Sequence, residues 1–200
     1  MAGGFVYNAI DQTEVATAEI YGKAISDIMQ KDPRVCAITA DLAKSTKLGD
    51  VLKTCPERVI NVGIAEQDMF GVGAGMARAG MIPFISGFSV FTSMRACDQL
   101  HTDICYQNVN AKIIATHAGT SFGQAGSTHH AISDLAVTRS FPNLTVICPA
   151  DGIETYHAVM AAYKTPGPFY IRINRGFDYT LYGKDCDYYD HGEFEIGKAN

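Results

Sequence analysis

One acidic residue, Glu66, stands in apolar surroundings where a carboxylate could exchange a proton with a ligand. The stretch 59–68 begins as an apolar run that predicts a short buried strand, and it breaks at Gly63, which permits a sharp turn. Glu66 then falls in the first turn of a predicted helix that continues through Met76. An acid at such a position is also typical of a residue that only complements the helix dipole, and spacing alone favours that interpretation.

Two histidines, His117 and His129, lie in one glycine-rich segment directly after a predicted strand. Parallel α/β sheets place their ligand sites at this end of their strands. The two histidines do not have the spacing of zinc ligands, so they suit general acid and base work or hydrogen bonding to a substrate. A lone histidine is more often structural, which is what we expect of His130 and His157.

Aromatic and cationic side chains provide further candidates. Phe88 and Phe91 could each offer a flat apolar face to a ligand ring. Arg175 lies just after the end of a predicted strand, and its guanidinium suits phosphate. By pattern alone the two phenylalanines are more typical of core residues, whereas Arg175 is equally typical of a surface arginine.

The predicted elements alternate between short apolar strands and amphipathic helices. The first helix is predicted over residues 11–30 from a capping signal at Asp11 and Glu14, and a later helix follows the same signal at Asp151 and Glu154. A third helix is predicted over residues 90–106. Residues 41–53 are predicted to form a polar loop, and no element is predicted after Arg175.

Six strands are predicted, at residues 35–39, 59–62, 83–86, 112–116, 144–148 and 168–173. Alternation with helices implies crossover connections, so the sequence predicts an α/β fold in which a mostly parallel sheet of about six strands has helices on both faces. The glycines of the second helix do not complete a dinucleotide fingerprint, because Met76 stands where the third glycine is needed. We expect them to allow close packing instead.

Composition narrows the class of protein. The chain has 200 residues, 47% hydrophobic and 18% charged, which predicts one globular domain with a real core. A net charge of −5 without a run of Lys or Arg argues against a nucleic-acid or acidic-membrane partner. The six cysteines form no Cys-x-x-Cys pair and are predicted to be reduced core thiols. No signal peptide or membrane span is recognisable, which predicts a cytoplasmic location.

Several of these segments resemble the pyrimidine-binding domain of the transketolase family, in similar order and spacing through Arg175. Gly63-Ile-Ala-Glu-Gln67 is similar to the segment that carries the family's catalytic glutamate. The other matching segments are Thr39-Ala-Asp-Leu-Ala-Lys-Ser45, Phe88-Ser-Val-Phe91, Thr116-His117, Gly123-Gln-Ala-Gly-Ser-Thr-His129 and Ile171-Arg-Ile-Asn-Arg175-Gly176.

The resemblance implies a role for each of the candidate residues. Glu66 would hydrogen-bond the pyrimidine of thiamine diphosphate and favour the imino tautomer that activates the cofactor, and His117 and His129 would join the catalytic set. The same two histidines, with Ser45 and Arg175, would meet the sugar phosphate. The residues implied to contact the cofactor are Glu66, Asp41, Phe88, Phe91 and Met94.

The resemblance also implies a partner. The chain lacks the Gly-Asp-Gly segment that would hold Mg²⁺ and the diphosphate, since Val51 follows Gly49-Asp50. The metal would then be held by a diphosphate-binding transketolase subunit, in a hetero-oligomer such as a heterotetramer. The assembled enzyme would move a two-carbon ketol unit from a ketose phosphate to an aldose phosphate, as in the pentose phosphate pathway.

Three points remain open from the sequence. Ala125 stands where many relatives carry an acid that bonds a donor hydroxyl, which puts sugar selectivity in doubt. Residues 1–176 would form the pyrimidine-binding domain and residues 177–200 a connector toward a missing C-terminal domain. Residues 194–198 resemble the opening strand of that domain. One alternative is a deoxyxylulose-phosphate synthase-like or 2-oxo acid dehydrogenase beta-like subunit, because the segment Arg95-Ala-Cys-Asp98-Gln99 is also similar to segments of those enzymes. The other is a non-catalytic assembly module.

Overall fold

A six-stranded parallel sheet forms the centre of the protein. The structure is a computed structural model and describes residues 14–182. Its strands are Val35–Thr39 (β2), Val59–Asn61 (β3), Ile82–Phe88 (β4), Lys112–Thr116 (β5), Thr145–Ile147 (β6) and Phe169–Arg172 (β7). They run in the order β3-β2-β4-β5-β7-β6, and every neighbouring pair is parallel. A separate antiparallel pair joins β1 (Glu14–Ala16) to β8 (Phe177–Tyr179).

Helices cover both faces of this sheet. Residues 91–106, named α4, are wound largely as π-helix, at Phe91–Arg95 and Leu100–Tyr106, around an α turn at Cys97–Gln99. The other helices are α1 (Thr17–Lys31), α2 (Gly49–Thr54), α3 (Glu66–Arg78), α5 (Asp134–Thr138) and α6 (Gly152–Lys164). Short 3-10 turns lie at Pro56–Arg58, Gly123–Ala125 and Ser127–His129.

Successive strand residues belong to two different cores. Phe84 and Ile114 pack in the cluster that contains α1 and α6, whereas their neighbours Ile85 and Ile113 pack in the cluster that contains α3 and α4. This is the two-residue period of a strand, with both faces covered. The predicted fold class is confirmed.

Several local predictions were wrong at the ends of elements. The first helix begins at Thr17 instead of residue 11, because the backbone from Glu14 forms β1 and pairs with β8, a strand the sequence did not indicate. Asp11 lies outside the described residues, as do residues 194–198. The strand at Val59–Asn61 is half-exposed because it lies at the edge of the sheet and pairs with a single strand among residues 14–182. The predicted polar loop contains α2.

The prediction of core thiols holds for three cysteines. Cys36, Cys55 and Cys105 are buried, Cys97 is half-buried and Cys148 is exposed. These five cysteines are free thiols, and Cys186 lies outside the described residues.

Close packing of α1 against the loop before α2 predicts a large effect at Gly22. A Cβ on Gly22 would lie 2.2 Å from the carbonyl oxygen of Lys47, which is backbone and can move only with its loop. We expect Gly22→Ala to lower the free energy of unfolding by on the order of 1 to 3 kcal/mol, because overpacking outweighs the gain in helix propensity. Urea denaturation measures this change.

Gly75→Ala is the matched control. Gly75 is also helical, but nothing lies within 4 Å of an added Cβ. The substitution is therefore expected to stabilise the protein by up to about 1 kcal/mol. If Gly22→Ala were as stable as Gly75→Ala, the close approach of α1 to the Lys47 loop would be incorrect.

Candidate active site

The candidate residues gather at the carboxyl edge of the sheet. Strands β2, β4, β5 and β7 end there, and the segments that follow them carry Asp41, Phe91, His117 and Arg175. Parallel strands bring such segments together because all of their carboxyl ends meet at one edge. Glu66 joins the same edge after β3, at the first residue of α3.

Glu66 is buried and paired. Gly63 turns the chain with a φ of +77°, and Glu66 follows with an exposed fraction of only 2%. Nη1 of Arg95 donates to both carboxylate oxygens, at 2.8 and 2.9 Å. The ion pair neutralises a carboxylate that would otherwise be costly to bury.

An asparagine that sequence reasoning missed holds the two sides of this site together. Asn61 Oδ1 accepts hydrogen bonds from the backbone N–H groups of Asp41 (2.9 Å) and Gly63 (3.0 Å), and its Nδ2 donates to Asp41 Oδ1 at 3.1 Å. Asp41 has a φ of +59°, so this polar clamp keeps the loop in a conformation that few side chains favour. The signal in the sequence was a polar residue interrupting the apolar run 59–62.

A cavity of about 350 Å³, named here the acid cavity, contains most of the predicted cofactor contacts. The Arg95 guanidinium carbon lies 4.0 Å from the centre of the Phe91 ring, and the His129 ring lies 5.3 Å from it. Met94 is 53% exposed and is not among the lining residues, so the structure does not bring it to this cavity. The lining residues are Ala40, Asp41, Leu42, Ile64, Glu66, Phe88, Phe91, Arg95, Thr128 and His129.

A cluster of rings bridges this cavity and the next. Phe88 packs against His117 with ring centres 4.1 Å apart, and Phe122 lies 4.5 Å from His117 and 5.5 Å from His129. Phe122 was not singled out from the sequence. Nδ1 of His117 is hydrogen-bonded to Thr116 Oγ1 at 2.9 Å, which fixes the ring although its backbone has a φ of +62°.

A second cavity of about 610 Å³, named here the basic cavity, has His117 and Phe122 among its lining residues. Two of the candidate residues, Ser45 and Arg175, line it together with Lys44 and Lys47, which the sequence analysis did not single out. Lys47 Nζ is paired with Glu19 at 3.0 Å, so its charge is partly committed. Three cations around one opening suit a phosphate group.

Burial predicts that His117 makes the stability of the protein depend on pH. Burial, and then the positive charges of Arg175, Lys47 and His129, lower the pKa of His117 from 6.5 to about 4. The unfolded chain therefore takes up a proton between pH 6.5 and pH 4 that the folded chain does not, so stability present above pH 6.5 is lost as the pH falls toward 4. The expected loss is about 3 kcal/mol.

Urea denaturation at pH 7 and pH 4.5 checks this prediction. His117→Gln should reduce the loss of unfolding free energy on acidification, whereas His130→Gln, a half-buried histidine of the same loop, should leave most of it in place. An unchanged acid loss in His117→Gln would contradict the assignment.

Fold and site together define a class of protein: a parallel α/β domain with a ligand site of buried acid, aromatic rings and cations at the carboxyl edge of its sheet. Residues 13–177 match the family described as the transketolase pyrimidine binding domain. The chain therefore belongs to the transketolase family, as its sequence indicated. Membership implies dependence on thiamine diphosphate.

Relatives of known sequence are similar over most of this chain. A protein named as a transketolase C-terminal section from Methanocaldococcus jannaschii is 36% identical over 179 residues, which is 90% of this chain and 55% of that protein. One subunit of the apulose-4-phosphate transketolase from Phocaeicola vulgatus is 33% identical over 93% of this chain and 58% of its own length. The chain thus spans a little more than half the length of these relatives.

Two solved transketolase structures are also similar to this chain. A split-gene transketolase, described as an inactive beta4 tetramer, is 46% identical with a TM-score of 0.72, covering 80% of this chain and 52% of that one. Transketolase from Campylobacter jejuni has a TM-score of 0.78 over 88% of this chain and 28% of that one, and at 24% identity it supports the fold alone. No helix within residues 14–182 combines the length and apolarity needed to cross a bilayer.

Proposed function

We propose that this chain is the pyrimidine-binding subunit of a thiamine-diphosphate-dependent transketolase, which transfers a two-carbon ketol unit from a ketose phosphate to an aldose phosphate. The observation that carries the proposal is the buried Glu66 carboxylate in one cavity with the face of Phe91. A pyrimidine needs both features, because its ring nitrogens hydrogen-bond a carboxyl group and its face stacks on an aromatic ring.

The residues of the acid cavity fit the pyrimidine. Glu66 would hydrogen-bond a ring nitrogen and hold its proton, Phe91 would stack on the ring, and Phe88 would support Phe91 from 5.8 Å. Asp41, fixed by Asn61, lines the same cavity. When bound, the cofactor supplies the carbon nucleophile that carries the two-carbon unit. Met94 has no such support, and its predicted contact would need the assembled protein.

The basic cavity is the proposed place of the sugar phosphate. Arg175 and Ser45 would bind the phosphate, with Lys44 as a further cation. His117 contacts both Phe88 and the basic cavity, and a neutral imidazole with one nitrogen held by Thr116 suits hydrogen bonding to a substrate oxygen. His129 lines the acid cavity and would act from that side.

A partner subunit would complete the cofactor site. Among residues 14–182, no three His, Cys, Asp or Glu side chains cluster closely enough to hold a metal ion. We propose that Mg²⁺ and the diphosphate are held by a diphosphate-binding subunit in a hetero-oligomer such as a heterotetramer. The Phocaeicola vulgatus relative, which is named as one of the subunits of its transketolase, supports this division. Ile64 is 78% exposed beside Glu66 and is the proposed contact with the partner.

A deoxyxylulose-phosphate synthase-like activity is the second candidate. The enzyme of that name from Oleidesulfovibrio alaskensis is 34% identical over 90% of this chain, although the match covers only 28% of its length. Division of the chain at residue 176, a cytoplasmic location and a place in the pentose phosphate pathway stay predictions. So does weakened sugar selectivity through Ala125, which lies half-buried in a 3-10 turn.

Co-expression with a diphosphate-binding transketolase subunit tests the proposal. The purified complex should transfer a ketol unit between a ketose phosphate and an aldose phosphate and should not condense pyruvate with an aldose phosphate. The reverse result would favour the second candidate. A stable complex with neither activity would support a non-catalytic assembly module.

A further inference from the structure

We propose that Arg95 is an internal ligand of the acid cavity, whose guanidinium holds the place of the aminopyrimidine in the unassembled chain and withdraws when the cofactor binds. The inference rests on the proposed function, since it concerns the same cavity. It adds a residue that none of the matched segments assigns to the cofactor and that controls access to Glu66 and Phe91.

The contacts of Arg95 reproduce those expected of an aminopyrimidine. Its Nη1 donates to Oε1 and Oε2 of Glu66, at 2.8 and 2.9 Å, and its guanidinium carbon lies 4.0 Å from the centre of the Phe91 ring. One planar group therefore satisfies the acid and covers the ring at the same time. Within the described residues, both hydrogen bonds to the Glu66 carboxylate come from Arg95.

The chemistry of the two groups explains why one can stand in for the other. A guanidinium presents N–H donors in a plane with a π face above it, and a 4-aminopyrimidine that has taken up a proton on a ring nitrogen does the same. A carboxylate pairs with the donors and a phenylalanine ring accepts the face, so the cavity recognises either group. Both cannot occupy it together, because they need the same oxygens and the same ring face.

Arg95 can leave its position. Its side chain is 47% exposed, whereas that of Glu66 is 2% exposed, so the arginine approaches the buried acid from the surface. It also lines a neighbouring cavity of about 500 Å³ together with Gln67 and Asp68. Asp68 offers the displaced guanidinium a second carboxylate on the same helix as Glu66.

The fraction of molecules in which Arg95 has left the acid cavity sets the expected change in ligand affinity. A ligand that must first displace Arg95 binds with an affinity reduced by the fraction of molecules in which the guanidinium is already out. Removal of the guanidinium should therefore raise the affinity of the cavity for a planar amidine-type ligand by about tenfold or more.

The test is a titration of the full chain with two probes, 4-amino-2-methylpyrimidine and methylguanidinium, followed by NMR. Arg95→Ala should bind both probes at least about tenfold more tightly than the natural chain does. Arg95→Lys keeps the charge beside Glu66 but cannot cover the Phe91 ring, so its affinity for the probes should lie between those of the natural chain and Arg95→Ala. It also guards against a folding defect in Arg95→Ala. Arg78→Ala removes an exposed arginine at the other end of α3 that bonds Gln107, and it should bind as the natural chain does.

The outcomes separate this inference from the proposed function. Equal or weaker pyrimidine binding by folded Arg95→Ala and Arg95→Lys would overturn it, because Arg95 would then be neutral or would support the ligand, while ketol transfer by the assembled complex could still stand. Binding of methylguanidinium but not of the pyrimidine to Arg95→Ala would also overturn it. Loss of ketol transfer in the reconstituted natural complex would count against the proposed function, whatever the titrations give.

Discussion

Turnover of the assembled enzyme is expected to fall by about 10²- to 10⁴-fold when Glu66 is replaced by glutamine, because that is the usual contribution of one positioned acid or base. The amide has the shape of the acid and can still accept a hydrogen bond from Arg95, so Glu66→Gln should fold and assemble. It cannot hold or release a proton at the pyrimidine. Most of the affinity for the cofactor should therefore remain while kcat falls.

Two measurements check this expectation in the reconstituted complex: kcat, and the rate at which the bound cofactor exchanges its thiazolium proton. Glu57→Gln is the matched control, because it makes the same chemical change at an exposed acid that pairs with the neighbouring Arg58. Near-normal proton exchange in Glu66→Gln would remove Glu66 from its proposed role.

Affinity for thiamine diphosphate is expected to rise by about 10²-fold or more on assembly with the diphosphate-binding subunit, since contacts with the two ends of one ligand then act together. The isolated chain supplies Glu66 and Phe91 but no cluster among residues 14–182 that could hold the metal. Its binding should be weak and should not depend on Mg²⁺.

Calorimetry on the isolated chain and on the complex, with and without Mg²⁺, measures the difference. Thiamine without its diphosphate is the control ligand, and it should gain much less from assembly. Tight, Mg²⁺-dependent binding by a verified monomer would show that the site is completed within this chain.

The sequence by itself determined the local elements and the fold class. The strands Val35–Thr39 and Lys112–Thr116 have their predicted bounds, because a run of apolar and β-branched residues fixes a buried strand locally. The start of α3 at Glu66 follows from the glycine turn before it. Alternation of strands with helices then left a parallel sheet as the consistent arrangement, which also placed the candidate residues at one edge.

Tertiary structure alone decided which side chains meet. Pairing of β1 with β8 joins residues more than 160 positions apart, so no local pattern could show that the first helix begins after a strand. Lys112 is fully buried, because the carbonyl oxygens of Thr165 and Gly167 each accept a hydrogen bond from its Nζ at 2.8 Å, although a lysine is expected at the surface.

The contact of Arg95 with Glu66 and Phe91 is another that only the tertiary structure decided. Arg95 follows Glu66 by 29 positions, and the intervening chain completes a helix and a strand before α4 begins. Periodicity reports which face of each element is apolar, but the distance between two side chains on different elements depends on how those elements pack. The packing of α3 against α4 is what brings a guanidinium onto a buried acid and an aromatic ring.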